Sequence, residues 1–388
     1  MDIEARIRRR QRRDDESRLI EEYEPLSPAT HVEEPTDRGR LLEQLLDHLD
    51  PVFGGRLPPH GYLYGPKGAG KSAVVTALFA KLDRRTIDPD TVIYTTTRVE
   101  PTRPLQFAYV DTRRYTSEFA FYHALVDALT DERVPRHGIS TETLRTRLHQ
   151  QLEASGAGLL LAVDHVGEPG STAPEVLVDR FSALPSSVSW LAVGRTEPEA
   201  TVLADYTAAS IRTGPYRRHV LVEVLLSRAA TTLDRTTLDD LSAAIADWAD
   251  GDAHDALAAL FVATDRAAQA GRTSITEADV EAAIEAVPDD CVSLGRVFAL
   301  PENKQTVLRT LVDLDPADRE SVSVATAAIA DRTDLAEGTI KRYLYELADI
   351  GVVDRVQSVE RYESGRPPSR LEPKFPPTVF RRLYNLNE

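Results

Sequence analysis

The chain has 388 residues, too many for one ordinary core, and at 42% hydrophobic it has enough apolar residues to fill the two or three domains expected at that length. No apolar run reaches the roughly 18 residues of a membrane span, no apolar segment follows Met1 to make a signal peptide, and the single cysteine, Cys291, excludes an intrachain disulfide or a cysteine-cage zinc site, so a cytoplasmic protein with no membrane partner is expected. The formal charge is −16, from 62 acidic against 46 basic residues, which counts against non-specific nucleic-acid binding at low salt.

Residues 1–25 read as a tail. Arginines at 6, 8, 9, 10, 12 and 13 form a basic cluster that either touches phosphate or starts a helix neutralised by the acids after it. Over residues 38–49 leucines recur at helical spacing, with Asp37 placed to cap. Residues 61–64 read as a short buried strand, and residues 72–82 as a helix carrying Val74, Val75, Leu78, Phe79 and Leu82 on one face. Strands at 106–110, 158–163 and 188–193 then alternate with helices at 117–129 and 141–152. The run Leu159-Leu160-Leu161-Ala162-Val163 is apolar on every side, as a central strand covered on both faces would be. This alternation predicts an α/β base with a parallel sheet. After Pro215 the pattern turns all-helical, with helices at 220–233, 238–250, 253–270 and 276–287. From Val297 onward three helical stretches precede Gly351-Val352-Val353 and a Pro/Gly/Arg-rich hairpin. The expected domains are a tail (1–25), a nucleotide-binding base (26–214), a helical lid (215–296) and a winged helix (297–388).

Between the first strand and its helix stands Gly65-Pro66-Lys67-Gly68-Ala69-Gly70-Lys71-Ser72, a complete Gly-x-x-x-x-Gly-Lys-Ser phosphate loop. Such a loop closes backbone N–H groups around phosphate oxygens at the positive end of a helix. Lys71 is expected on the β and γ phosphates of ATP or ADP, and Ser72 on Mg²⁺. Asp164, closing the apolar strand, is the second expected Mg²⁺ ligand. Hydrolytic relatives of such loops place a glutamate next, to polarise the attacking water; here the residue is His165, which can accept a proton or be cationic. Glu168 is near enough in sequence to reach back, but the expectation is a loop acid.

Several motifs in order resemble the archaeal origin-recognition initiators, AAA+ ATPases with a C-terminal winged helix. These are Leu26-Ser27-Pro28, Asp37-Arg38, the phosphate loop, Tyr109-Val110-Asp111-Thr112-Arg113, Gly214-Pro215-Tyr216, Gly251-Asp252-Ala253-His254 and Ile275-Thr276-Glu277-Ala278-Asp279-Val280. The resemblance implies an AAA+ base, an all-α lid and a winged helix. It also implies that Tyr216 and Arg228 contact the nucleotide, with His254 in the place of the lid's sensor arginine. Its other implications are duplex DNA at an origin or similar site as partner, and the replicative helicase or other initiator subunits as further candidates. The departures fall on hydrolysis: His165 for glutamate, His254 for arginine, Thr196 as the candidate where the family has a sensor asparagine, and no clear arginine finger in residues 202–213. A chain that binds nucleotide and hydrolyses it slowly or not at all is expected.

In the winged helix, residues 321–332 and 335–349 read as the helix pair. Ile340, Leu344 and Leu347 point inward, leaving Thr339, Lys341, Arg342 and Tyr345 for the major groove. Arg366 and Arg370 at the wing tip suit a narrow minor groove; a protein-binding winged helix is the alternative. Only six of the basic residues are lysines, and acid excess with scarce lysine resembles proteins of salt-in halophiles; an ordinary acidic protein from a GC-rich genome is the alternative. In molar salt the Debye length is about 3 Å, so distant acids would hardly repel DNA and local cations would act at contact.

Overall fold

The computed structural model describes residues 19–20, 22–87, 105–130, 133–230, 238–357 and 369–387. The chain divides into two units, His31–Pro215 and Met1–Thr30 with Tyr216–Glu388. The lid and the winged helix, expected as separate domains, therefore share one unit, and the residues just before the base join them.

In His31–Pro215, strands β1 (Gly61–Tyr64), β2 (Leu105–Asp111), β3 (Gly158–Val166), β4 (Val188–Gly194) and β5 (Ala209–Arg212) form one parallel sheet in the order β2-β3-β4-β1-β5. The side-chain period of two explains why β3 is apolar throughout. Leu159, Leu161 and Val163 enter one core, while Leu160 and Ala162 enter the core on the opposite face. Helices α1 (Gly39–His48), α2 (Asp50–Phe53) and α3 (Lys71–Ile87) belong to this unit, and α1 and α3 cover one face with Leu41, Leu45, Val74, Val75, Leu78, Phe79 and Leu82. Helices α4 (Glu118–Ala128), α5 (Thr141–Ser155) and α6 (Pro174–Ser182) cover the other.

Two local expectations are corrected. Asp37 does not cap α1: the N-cap is Arg38, with no side-chain cap bond, and Asp37 itself takes φ 45°. The edge strand β5 is absent from the sequence reading because four residues with one buried side chain, Ile211, carry no legible pattern.

The second unit contains α7 (Arg218–Ala229), α8 (Leu238–Trp248), α9 (Ala253–Gln269), α10 (Glu277–Ala286), α11 (Leu294–Phe298), α12 (Glu302–Asp313), α13 (Val322–Ala330), α14 (Glu337–Asp349), the antiparallel hairpin β6 (Val353–Gln357) with β7 (Ser369–Pro373), and α15 (Pro377–Asn387). One continuous apolar core runs through all of it, from Leu221 and Phe261 in the lid helices to Leu344 and Phe380. That continuity is why the two expected domains form one unit.

The tail reading of residues 1–25 also needs correction at its end. Leu19, Ile20 and Leu26 are buried in the same core. Tyr23 packs on Phe261, and its hydroxyl donates to the buried Asp265 at 2.8 Å. Arg382 of α15 donates to the same carboxylate at 2.7 Å and lies over the Tyr23 ring. The basic cluster at residues 6–13 lies outside the described residues.

Candidate functional site

The strand ends converge on one edge of the sheet. Tyr64 faces Gly194 on one side and Arg212 on the other, while Asp111 faces Asp164. In open parallel sheets ligands bind at such carboxyl ends. The phosphate loop leaves β1 there and enters α3 at Lys71. Gly65, Gly68 and Gly70 adopt φ of 150°, 66° and 76°, and a Cβ at Gly65 would sit 2.2 Å from the Thr213 carbonyl oxygen, so only glycine fits. Ala69 is buried and Lys67 half-buried. The buried Lys71 ammonium donates to the carbonyls of Gly65 at 2.8 Å and Pro66 at 2.7 Å, which draws it over the loop at the positive end of α3.

Asp164 is 1% exposed, and both of its oxygens are held. The His165 amide donates to Oδ1 at 2.6 Å and the Tyr109 hydroxyl to Oδ2 at 2.7 Å, and the Ser72 side chain lies close enough to help hold the charge. Burial alone would push its carboxyl up. The neighbouring His165, the nearby Ser72 side chain and the bonds from Tyr109 and the backbone hold it below the usual carboxylate value. Burial, and then Asp164, push the Tyr109 phenol well above its ordinary range. The two expected Mg²⁺ ligands, Ser72 and Asp164, are thus brought together.

The register of β3 against β4 breaks at this point. Val163 faces Ala192 and Val166 faces Gly194, so Asp164 and His165 together oppose Val193. This is a β-bulge, and His165 takes φ 63° in it. The bulge turns the His165 ring onto Glu168, Nδ1 to Oε1 at 3.1 Å, and Arg195 reaches the same oxygen at 2.9 Å. The expected loop acid Glu168 is instead nearly buried and does reach back. Burial would raise its pKa, but His165, Arg195 and Arg113 bring it down to about 2. Arg113 is bound in turn by both oxygens of Asp111. Thr196 offers its carbonyl to the Tyr62 hydroxyl at 2.8 Å. Sequence reasoning missed the roles of Tyr109, Arg195 and Arg113. The signal was their position, each at or just beyond a strand's carboxyl end.

Tyr216, Arg228 and His254 belong to the other unit. Tyr216 is buried, and its amide donates to Gly251 at 3.0 Å. Arg228, buried in α7, donates to the carbonyls of Ser27 and Thr30, and burial lowers its pKa to about 10. His254 sits in the first turn of α9, with Nδ1 2.9 Å from Asp255 and Nε2 accepting the Leu294 amide at 2.9 Å. Both ring nitrogens are engaged within the unit, tying α9 to α11.

Helix α14 buries Ile340, Leu344 and Leu347, as its spacing predicts, and exposes Lys341 and Arg342. Thr339 is half-buried, and Tyr345 lies beneath the Arg355 guanidinium of the wing rather than standing free. Arg342 lies 3.7 Å from Glu346 and over Tyr343. Arg370 pairs with Glu372 on its own strand at 2.6 Å. Arg366 lies outside the described residues.

Comparison with known proteins agrees with the fold. Residues 34–193 match the AAA ATPase domain family. An ORC1-type DNA replication protein from Thermococcus kodakarensis is 23% identical over 96% of this chain and 92% of its own length. An ORC1-type DNA replication protein 8 from the haloarchaeon Haloarcula marismortui is 24% identical over 70% of this chain and 64% of its own. The structure of the Aeropyrum pernix ORC1 protein in complex with DNA superposes with a TM-score of 0.60, at 21% identity, over 95% of this chain and 97% of that one. The chain has the AAA+ fold of the archaeal Orc1 proteins. The Orc1-type fold accounts for the parallel sheet, the lid helices and the terminal winged helix in one chain. The haloarchaeal relative agrees with the acid-rich, lysine-poor composition. Among the described residues, no helix is long and apolar enough to cross a membrane.

Proposed function

We propose that this chain is an origin-recognition-type initiator that binds duplex DNA under the control of bound ATP or ADP. The observation that carries the nucleotide half is a complete phosphate loop that enters α3 at Lys71, with Ser72 close enough to the buried Asp164 to help hold its charge. The pair offers a hydroxyl and a carboxylate, the hard oxygen donors that Mg²⁺ takes. Ser72 and Asp164 would hold the ion, which supplies charge neutralisation at the β and γ phosphates. Lys71 and the loop amides bind and orient the phosphates.

The DNA half rests on Lys341 and Arg342, exposed on the second helix of the helix pair, with Arg366 and Arg370 of the wing as further proposed contacts. DNA in the complex with the Aeropyrum pernix ORC1 protein supports the same partner here. Replicative helicase and other initiator subunits are proposed partners of the DNA-bound form. A second reading, a DNA-binding regulator that keeps the scaffold without turnover, is favoured by His165 in the acid's place and by the engaged ring of His254. Mapping of bound chromosomal sites in the native host separates the two. Enrichment at replication origins supports the initiator, and enrichment at promoters alone supports the regulator.

A further inference from the structure

The Asp164 carboxylate does not orient itself. It lies in a bulge, where β3 loses its register against β4 while keeping it against β2. Tyr109 of β2 and Thr112 just beyond it hold Asp164 at three points. The Thr112 amide and hydroxyl donate to the Asp164 carbonyl at 3.1 and 2.8 Å, and the Tyr109 hydroxyl donates to Oδ2 at 2.7 Å. Tyr109 faces Ala162 across the β2–β3 ladder, two residues short of Asp164. A phenol is long enough to span that offset; a serine or threonine at the same place is not.

We propose that Tyr109 is the positioning residue of the metal site, its hydroxyl holding Asp164 Oδ2 and so fixing the carboxylate as a ligand for Mg²⁺. The proposal rests on the reading of Ser72 and Asp164 as the metal ligands. Tyr109 stands on β2 and not on the phosphate loop, so its hydroxyl is expected to act on the ion rather than on the nucleotide itself. Outer partners of metal ligands are worth about 10–100-fold in metal affinity.

The test uses the full chain and Tyr109→Phe, which removes one oxygen and keeps the ring. ATP affinity is measured by calorimetry across a Mg²⁺ series and in excess chelator, and Mn²⁺ binding is followed by electron paramagnetic resonance in the presence of ADP. The expected result is a rise of about 10-fold or more in the Mg²⁺ concentration giving half-maximal tightening, with a parallel loss of Mn²⁺ affinity. Metal-free ATP affinity stays within about twofold, which also reports an intact fold. A Mg²⁺ midpoint in Tyr109→Phe equal to wild type overturns the proposal. If metal-free affinity falls as far as Mg²⁺-dependent affinity, Tyr109 supports the fold in general and the proposal also fails. Asp164→Asn separates this from the underlying reading: if that variant keeps the wild-type Mg²⁺ midpoint, the assignment of the metal ligands fails first and the role of Tyr109 falls with it.

Discussion

The His165 ring meets Glu168 across one turn of the bulged loop, Nδ1 to Oε1 at 3.1 Å, with Arg195 on the same carboxylate oxygen. This arrangement has a consequence for acid stability. The Glu168 carboxyl lies at about 2 in the folded chain against an ordinary 4.5, so the folded state holds the ionised form more strongly than the unfolded state does. Its contribution to stability is therefore complete above pH 4.5 and is lost as pH falls toward 2. Glu168→Gln is expected to lower stability by on the order of 2 kcal/mol at pH 7 and to flatten the pH dependence between 4.5 and 2. Chemical unfolding at a series of pH values checks this; parallel curves for variant and wild type would refute it.

The same ring bears on hydrolysis. His165 stands where a water-polarising glutamate is expected, and its Nδ1 is committed to Glu168. Turnover is expected below the roughly 1 s⁻¹ at the foot of the usual enzyme range. His165→Glu is expected to raise it; since His165 already holds φ 63°, the substitution adds little backbone strain beyond what the wild type carries. Phosphate release by the wild type at an ordinary enzyme rate would show that the departures do not disable the site.

A third expectation concerns the clasp of Tyr23, Asp265 and Arg382. Asp265 is 1% exposed, and Arg382 is its one cationic partner among the described residues. Arg382→Ala leaves the buried carboxylate with Tyr23 and Gln269, at an expected cost of about 1–3 kcal/mol. Because Tyr23 and Arg382 share one oxygen, a double-mutant cycle with Tyr23→Phe is expected to be non-additive. Additive losses would mean that the two residues act independently.

The residues proposed to face DNA give a prediction in two directions. Arg370 is held by Glu372, so Glu372→Gln is expected to free the guanidinium and tighten duplex binding, while Arg370→Ala weakens it. Loss of Lys341, if it meets phosphate, weakens all sequences alike and lowers the salt slope by about 1; loss of Arg342, if it reads a base edge, costs about 1–3 kcal/mol at one position. Arg366→Ala is expected to cost more on A/T-rich sites than on G/C-rich ones. Fluorescence anisotropy over a salt series checks all five; unchanged binding throughout favours a protein-binding winged helix.

The parts of this molecule legible in sequence are those written in local pattern. The phosphate loop is contiguous, β3 is apolar on both faces, and Ile340, Leu344 and Leu347 share one helical stripe. The missed parts depend on pairings between distant residues. Nothing in the order of residues says that Tyr109 reaches Asp164, that a bulge turns His165 onto Glu168, or that Tyr23 meets Arg382 at Asp265. The merging of lid and winged helix is of the same kind. Each has its own helical pattern, and only packing shows that their apolar faces share one core.

The claim on which the account turns is that the loop from Gly65 to Ser72 binds nucleotide through Lys71. Calorimetric titration of the full chain with Mg²⁺-ATP in high salt, wild type beside Lys71→Ala, tests it most directly. Lys71 is proposed to contact phosphate, and its described bonds are to the loop's own carbonyls rather than to the core, so the variant is expected to fold normally and to lose measurable ATP binding. Equal ATP affinity in the two proteins would contradict the account.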